Sequence, residues 1–373
     1  MDRYIAVDSG KSATKVAVFS PETKETRKFS FYTRMSEGFF EDDAIESATF
    51  IAQVEGKTYK IGKGARLQAN LETSKIADIH KVCTLSAIAM CVDADSVDTV
   101  HVAIGIPVKE FDNVQRRNEY RNFILPDGEV EVVMKSKNDE EPRKIRFKIA
   151  TKMVCPESSG ILYLNPAKFK NAITAVLDIG NLNVNGTYWS GFDYDSEYSL
   201  TGELGASILI QNLAQELSAR FSRCDEKLVG NILRKPAGER KLVPTKPNPE
   251  LEKESAQVIK QCLLEHVQQI RRLCDGKHWS LDYMEVVFVG GTSKILRDEI
   301  YEVFGKEVYI ADDPEYANVV GFLTKLCSRT LKVFIPAAKD AMDKMNEPDI
   351  IEGENVVIEP GNVVIEPGDV EVA

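Results

Sequence analysis

Apolar positions change period along this chain, and each change marks an element. The apolar run within residues 4–8 stops at Asp8, the chain turns through Ser9-Gly10-Lys11-Ser12, and 13–19 alternate apolar and polar, which predicts two strands joined by a tight turn. A β-rich stretch follows at 27–32. Residues 33–75 are polar, with a predicted hairpin inside ATFIAQVEGKTYKIG that turns at Glu55-Gly56-Lys57. Ile76, Ile79, Val82, Cys83, Leu85 and Ala89 have helical spacing and predict a helix over 74–92. TVHVAIGIPV, residues 99–108, reads as a buried strand; 111–124 reads as a helix and 130–150 as paired strands.

The second half repeats this alternation. A short helix is expected after Pro156, then strands at 173–179 and near 184–190, and a helical block over about 204–221. A Pro-rich connection at 235–249 leads to a long amphipathic helix from about Glu250 to Cys274. A strand at 285–289, a Gly-Gly turn, a helix at 293–304, a strand at 307–310 and a helix from Asp313-Pro314 to about Val333 complete the pattern. Strands and helices that alternate in two comparable halves predict an α/β architecture with an internal duplication.

Composition narrows the function classes. The 373 residues suit two domains, and 43% hydrophobic with 28% charged residues is ordinary for a globular protein. No stretch approaches the roughly 20 apolar residues of a membrane span, and MDRYIAVDSG lacks the features of a signal peptide. Seven scattered cysteines without a C-x-x-C and four isolated histidines point to free thiols in a reducing cytoplasm, not to a zinc site or a disulfide framework. Of the net charge of −11, residues 347–373 carry eight acids and no base, which leaves 50 acids against 47 bases, or −3, in residues 1–346. A near-neutral body gives no electrostatic reason for direct nucleic-acid binding. The tail repeats NVVIEPG at 355–361 and 362–368, too short for a solenoid, and its acidity and prolines predict disorder, with a docking peptide as the alternative.

The candidate chemistry lies in two turns. Gly10-Lys11-Ser12 is not a Walker loop, because Ile5 stands where its first glycine should be and the turn feeds a strand instead of a helix. It suits a phosphate-binding hairpin instead, with backbone N–H groups at 10–12 facing an anion and Lys15 adding a charge. Asp8 would then organise the water shell of a Mg²⁺ that bridges to phosphates. The alternative is an ordinary hairpin. ITAVLDIGNLNVNGTYW, 173–189, repeats the strand–acid–glycine–strand design at Asp178 and Gly180, so that two hairpins across a cleft would clamp one polyphosphate. VVFVGGTSKIL, 286–296, adds a strand, a Gly-Gly turn and a helix start, where a flat base can approach the backbone.

These three motifs, in this order and spacing, resemble the superfamily of actin, the sugar kinases and the seventy-kilodalton heat-shock chaperones. AIGIPVKEFD (103–112), KMVCPESSGILYL (152–164), TGELGASIL (201–209) and DPEYANVVGFL (313–323) resemble its ParM branch of plasmid-segregating bacterial actins. The resemblance spans residues 5 to about 335. It implies a bilobed actin-like fold of two duplicated ribonuclease-H-like domains with a nucleotide cleft between them. The implied domains are 1–165 plus 314–335, with 33–75 as an insertion, and 166–313, with about 204–274 as an insertion. It also implies a phosphate-one loop at 8–15 that uses Ser9, Gly10, Lys11, Ser12 and Lys15, a phosphate-two loop at Asp178 and Gly180, Asn181, Leu182 and Asn183, and an adenosine loop at Gly290, Gly291 and Thr292. Asp8 and Asp178 would organise Mg²⁺ through water, and Glu157 would position the attacking water.

The phosphate-two pattern Asp-x-Gly-Gly-x-Thr-x-Asp is broken by Asn181, Asn183 and Asn185. Asparagine tolerates left-handed backbone, so Asn181 is expected to preserve the turn, while the lost acid predicts slower hydrolysis. The implied function is a cytoplasmic, polymerising ATPase, with GTP as the alternative nucleotide, whose filaments segregate plasmid DNA through a ParR-type adaptor. Two alternatives stay open: a monomeric small-molecule kinase of the same fold, and a nucleotide-binding scaffold with little turnover.

Overall fold

The opening hairpin is present in the structure, a computed structural model that describes residues 1–38, 45–68, 74–94, 96–137, 139–333 and 335. Strands β1 (Asp2–Ser9) and β2 (Ala13–Ser20) pair antiparallel with Asp8 opposite Lys15, and β3 (Glu25–Tyr32) continues the meander. Four further strands follow: β4 (Arg34–Glu37), β5 (Thr49–Val54), β6 (Lys57–Gly62) and β7 (Leu67–Gln68). The β5–β6 turn has positive φ at both Glu55 and Gly56 (51° and 79°), as the twist of a two-residue hairpin demands.

Helix α1 (Asp78–Ala89) is buried on nearly every face, His80, Thr84 and Ser86 included, and packs against β1 and the later helix α3. The chain continues through β8 (Val97–Ile106), α2 (Val108–Phe111), α3 (Val114–Ile124), β9 (Glu129–Ser136), β10 (Arg143–Pro156) and α4 (Gly160–Leu164). The helix expected at 111–124 is α3, which starts at Val114: Asn113 caps it through its side chain, which accepts the Arg116 N–H at 3.0 Å.

The rest comprises α5 (Pro166–Phe169), β11 (Ile173–Ile179), β12 (Val184–Ser190), β13 (Asp193–Gly202), α6 (Ala206–Arg220), α7 (Glu226–Arg234), α8 (Pro249–Gly276), β14 (Glu285–Val289), α9 (Gly291–Ile295), α10 (Arg297–Phe304), β15 (Tyr309–Ile310) and α11 (Ala317–Thr330). In α8, Asn248 caps the N-terminus with Pro249 in the first turn, and Ile259, Leu263, Val267, Ile270 and Cys274 form its buried stripe. The single helix expected at 293–304 is broken at Leu296, which has φ −94° and ψ 14°.

The described residues form two compact units, 1–164 with 318–335 and 165–317, each around its own apolar cluster. The sheet of the first runs β3-β2-β1-β8-β10-β9-β5-β6-β4-β7, and that of the second runs β13-β12-β11-β14-β15. Five strands in each share one plan: a three-strand antiparallel meander whose first strand is followed by two strands parallel to it. The tail at 347–373 lies outside the described residues. Among the described residues, no helix is long and apolar enough to cross a membrane, and all seven cysteines are free thiols.

Candidate functional site

In the first unit the carboxyl ends of β1, β8 and β10 lie side by side, because β8 is parallel to both of its neighbours, with Val7 opposite Ile104 and Pro156 opposite Ile106. Strand ends of this kind are where open α/β sheets present ligand-binding groups. Asp8 sits there near the end of β1, and Glu157 is the first residue after β10. The Glu157 backbone is fixed by its N–H donating to the Ile106 carbonyl at 2.8 Å. The next residue, Ser158, is buried with φ 65°, a left-handed conformation uncommon for a non-glycine residue and costly unless its surroundings impose it.

Between β1 and β2 the turn closes tightly. The Gly10 N–H donates to the Ala13 carbonyl at 3.0 Å, and a Cβ at Gly10 would lie 2.8 Å from that carbonyl oxygen. Lys11 is exposed at the tip, while Ser12 and Lys15 are half-buried. Ser9 turns inward: its Oγ lies 3.0 Å from His80 Nδ1 and 3.3 Å from Thr14 Oγ1, which leaves only its backbone for an anion. Burial, and then the nearby Lys75 charge, lower the His80 pKa to about 3, so this ring is neutral at pH 7.

Asp8 and Glu157 meet through a residue that the sequence pattern did not single out. Lys75, just before α1, places Nζ 3.5 Å from Asp8 Oδ1 and in direct ion-pair contact with Glu157 Oε1. Their side chains are 9% (Lys75), 13% (Asp8) and 20% (Glu157) exposed. Burial alone would discharge Lys75, but the Glu157 and Asp8 carboxylates overcome it and hold its pKa above the ordinary lysine value. Burial raises Glu157, Lys75 opposes that rise and Asp8 adds to it, so the carboxyl lies above the usual range. Tyr120, also buried, donates its hydroxyl to the Gly105 carbonyl at 2.8 Å, and desolvation keeps it protonated. A lysine inside the polar stretch before a helix carries no periodic signal. Its role exists only through contacts with residues distant in sequence.

In the second unit β11 and β14 are parallel, with Asp178 opposite Val289, so the turn after each strand emerges at the same sheet end. Gly290 has φ 87° and ψ 148°, a region essentially closed to other residues. A Cβ there would lie 2.4 Å from the Ile179 carbonyl and 2.5 Å from Asp178 Oδ1. Thr292 Oγ1 donates to the Gly180 carbonyl at 2.9 Å. The structure therefore brings together Asp178, Gly180, Gly290, Gly291 and Thr292.

The 180–183 turn is tied to the start of α6. The Gly180, Asn181 and Leu182 carbonyls accept N–H bonds from Ala206, Ser207 and Gly205 at 3.1, 2.9 and 3.1 Å, and the Gly180 N–H donates to the Asn183 carbonyl at 3.0 Å. Asn181 is not left-handed, contrary to the sequence expectation. It holds the turn through its side-chain oxygen, which accepts the Ser207 hydroxyl. Asn185 Oδ1 accepts from Thr201 Oγ1 at 3.2 Å, so this amide too is engaged within the unit.

Among the described residues no three His, Cys, Asp or Glu side chains form a metal-holding group. A dedicated protein cage for a divalent ion does not fit this donor set. A Mg²⁺ carried by phosphates fits, since such ions keep most of their waters and take one or two carboxylates.

Residues 6–160 match the family model described as the actin-like proteins N-terminal domain. No curated protein sequence matches the chain. Among solved structures, the Alp12 filament superposes with a TM-score of 0.67 at 22% identity and covers 88% of this chain and 99% of its own. The archaeal actin homologue Ta0583 in complex with ADP gives 0.64 at 15% identity, over 88% of this chain and 99% of that one. A 15-stranded ParM filament from Clostridium botulinum gives 0.63 at 16%, over 87% and 99%. The chain has the actin-like fold, and its structural neighbours are filament-forming ParM and Alp actin homologues.

Proposed function

We propose that this chain, actin-like in its fold and in its N-terminal domain, is a nucleotide-dependent polymerising ATPase of the cytoplasm. Its filaments would move plasmid DNA held by a DNA-binding adaptor of the ParR type. The observation that carries the reading is that one construction occurs twice. Each unit carries an acid, Asp8 or Asp178, one residue before the end of a strand that is parallel to its neighbour, and follows that strand with a tight glycine turn.

In this reading ATP, or GTP as the alternative, is held at its β- and γ-phosphates by the amides of Ser9, Lys11 and Ser12 and by the Lys15 ammonium, while Gly10 closes the turn that presents them. Gly180, Asn181, Leu182 and Asn183 form a second phosphate loop, and the Gly290-Gly291-Thr292 turn takes the base or ribose. Asp8 and Asp178 are the carboxylates that would organise the water shell of a Mg²⁺ carried by the nucleotide. The ion, when bound, neutralises charge on the phosphates. Glu157 accepts a hydrogen bond from a water and aims its oxygen at the γ-phosphorus. As that bond forms, the bond from the γ-phosphorus to the β–γ bridging oxygen breaks, leaving the diphosphate and inorganic phosphate, with the water's protons shared between phosphate and solvent. Nucleotide drives assembly only if the assembly-competent state binds it more tightly. The solved filaments of Alp12 and ParM support self-association, and the ADP complex of Ta0583 supports nucleotide binding.

A second reading, a nucleotide-dependent scaffold with little turnover, is favoured by one feature: the Asn181 and Asn185 side chains bond to Ser207 and Thr201. Titration with a fluorescent ATP analogue tests the binding step. The wild type should take up one nucleotide per chain, and Lys15→Ala should weaken binding by roughly 10–100-fold through loss of a charged hydrogen bond. A wild type that binds neither ATP nor GTP overturns both readings.

A further inference from the structure

Lys75 is the buried charge that neither the phosphate turns nor the water-orienting role of Glu157 uses. Its Nζ contacts one oxygen each of Asp8 and Glu157 and so bridges the two carboxylates. Two carboxylates that share one partner in a largely dry site cannot both stay ionised unless a cation lies between them. Two kinds of cation can do this. One is the ammonium the chain supplies, and the other is a divalent ion.

We propose that Lys75 is a resident counter-cation that keeps divalent metal out of the Asp8–Glu157 pair until nucleotide arrives, so that the ion enters only together with phosphate. This rests on the reading of Asp8 as a magnesium-organising residue and assigns the metal dependence of that site to a named side chain. The chemistry favours lysine for such a part. Its charge is compact and sits on a flexible four-carbon stem, so it can exchange a carboxylate for an arriving phosphate oxygen, whereas a guanidinium would lock a carboxylate in a two-point fork. Without Lys75 the pair becomes two uncompensated acids, the donor type that hard divalent ions select.

The test uses Mn²⁺ as the probe on full-length, nucleotide-free protein, read by loss of the free-ion electron paramagnetic resonance signal. The wild type should leave the signal unchanged at millimolar Mn²⁺. Lys75→Met should gain one site per chain, bound roughly tenfold or more tightly than by the wild type, and Lys75→Met/Glu157→Gln should lose that gain. Should Lys75→Met not fold, Lys75→Gln, which keeps donors for both carboxylates, should show the same gain. A folded Lys75→Met or Lys75→Gln that behaves like the wild type overturns the inference. So does a wild type that already binds Mn²⁺ without nucleotide. Binding of the fluorescent ATP analogue by the wild type is read in parallel. Normal nucleotide binding without a gained Mn²⁺ site removes this inference alone, whereas a gained site in a chain that binds no nucleotide removes the nucleotide reading and leaves the counter-cation assignment standing.

Discussion

Glu157 is placed by its surroundings more than by its own strand. Its N–H is fixed on Ile106, the following Ser158 is held left-handed, and Lys75 faces its carboxylate. That combination suits a group that must accept a hydrogen bond in one fixed direction. Glu157→Gln keeps the size and removes the charge, so phosphate release should fall by roughly 10²-fold or more while affinity for the ATP analogue changes little; single-turnover measurement separates the two effects. A second residue-scale prediction concerns His266, which is buried on α8 with its Nε2–H donating to the Leu204 carbonyl at 3.1 Å. Burial lowers its pKa to about 4. Above about pH 6.5 folded and unfolded chains both hold it neutral, so it adds no pH dependence there. Below that the unfolded chain gains a proton the folded chain refuses, and stability falls until the pH reaches the folded value. Between pH 7 and 5 the loss from this group should be about 2 kcal/mol. Chemical denaturation at the two pH values should show His266→Gln losing correspondingly less than the wild type.

At the scale of elements, the turns matter because parallel pairing brings strand ends to one edge of each sheet. The hairpins β1–β2 and β11–β12 and the strand β14 were legible in the sequence, since buried strands bounded by acid and glycine leave a clear change of period. Several elements were not, β13 and α7 among them. Strand β13 is an edge strand whose residues are mostly exposed or half-buried, so it shows no alternation, and Gly230 inside the nine-residue α7 obscures a helix that Asp225 caps through the Leu228 N–H at 2.7 Å. In the site, Asp8, Asp178 and Gly290 could be named because each stands at an element boundary, whereas Glu157 was named only through the family resemblance. Lys75 and the Asn181–Ser207 contact could not be named, because both come from tertiary packing. Gly290→Ala tests the closest of these junctions. The backbone there is open essentially to glycine alone, so the variant should lose about 1–3 kcal/mol from strain and weaken binding of the ATP analogue. Wild-type stability and affinity in that variant would show that the turn does not need its observed approach to Asp178 and Ile179.

For the whole molecule, charge and assembly are linked. Residues 347–373 carry eight acids and no base, so a chain ending at Asn346 changes from −11 to −3. Copies brought together in a polymer concentrate that charge. The shortened chain should therefore assemble at a lower critical concentration in low salt, with the difference shrinking as added salt brings the screening length below about 10 Å. Sedimentation across a salt series measures it, and identical critical concentrations at every ionic strength would remove the tail from the energetics of assembly. The central claim is that nucleotide drives self-association and hydrolysis reverses it. It is met most directly by right-angle light scattering of the full-length chain with Mg²⁺ and ATP, GTP or no nucleotide, with phosphate release followed in the same sample. Scattering should rise only with nucleotide, above a critical concentration, and decay as phosphate appears. Scattering that stays flat with either nucleotide while the chain binds it would contradict the claim.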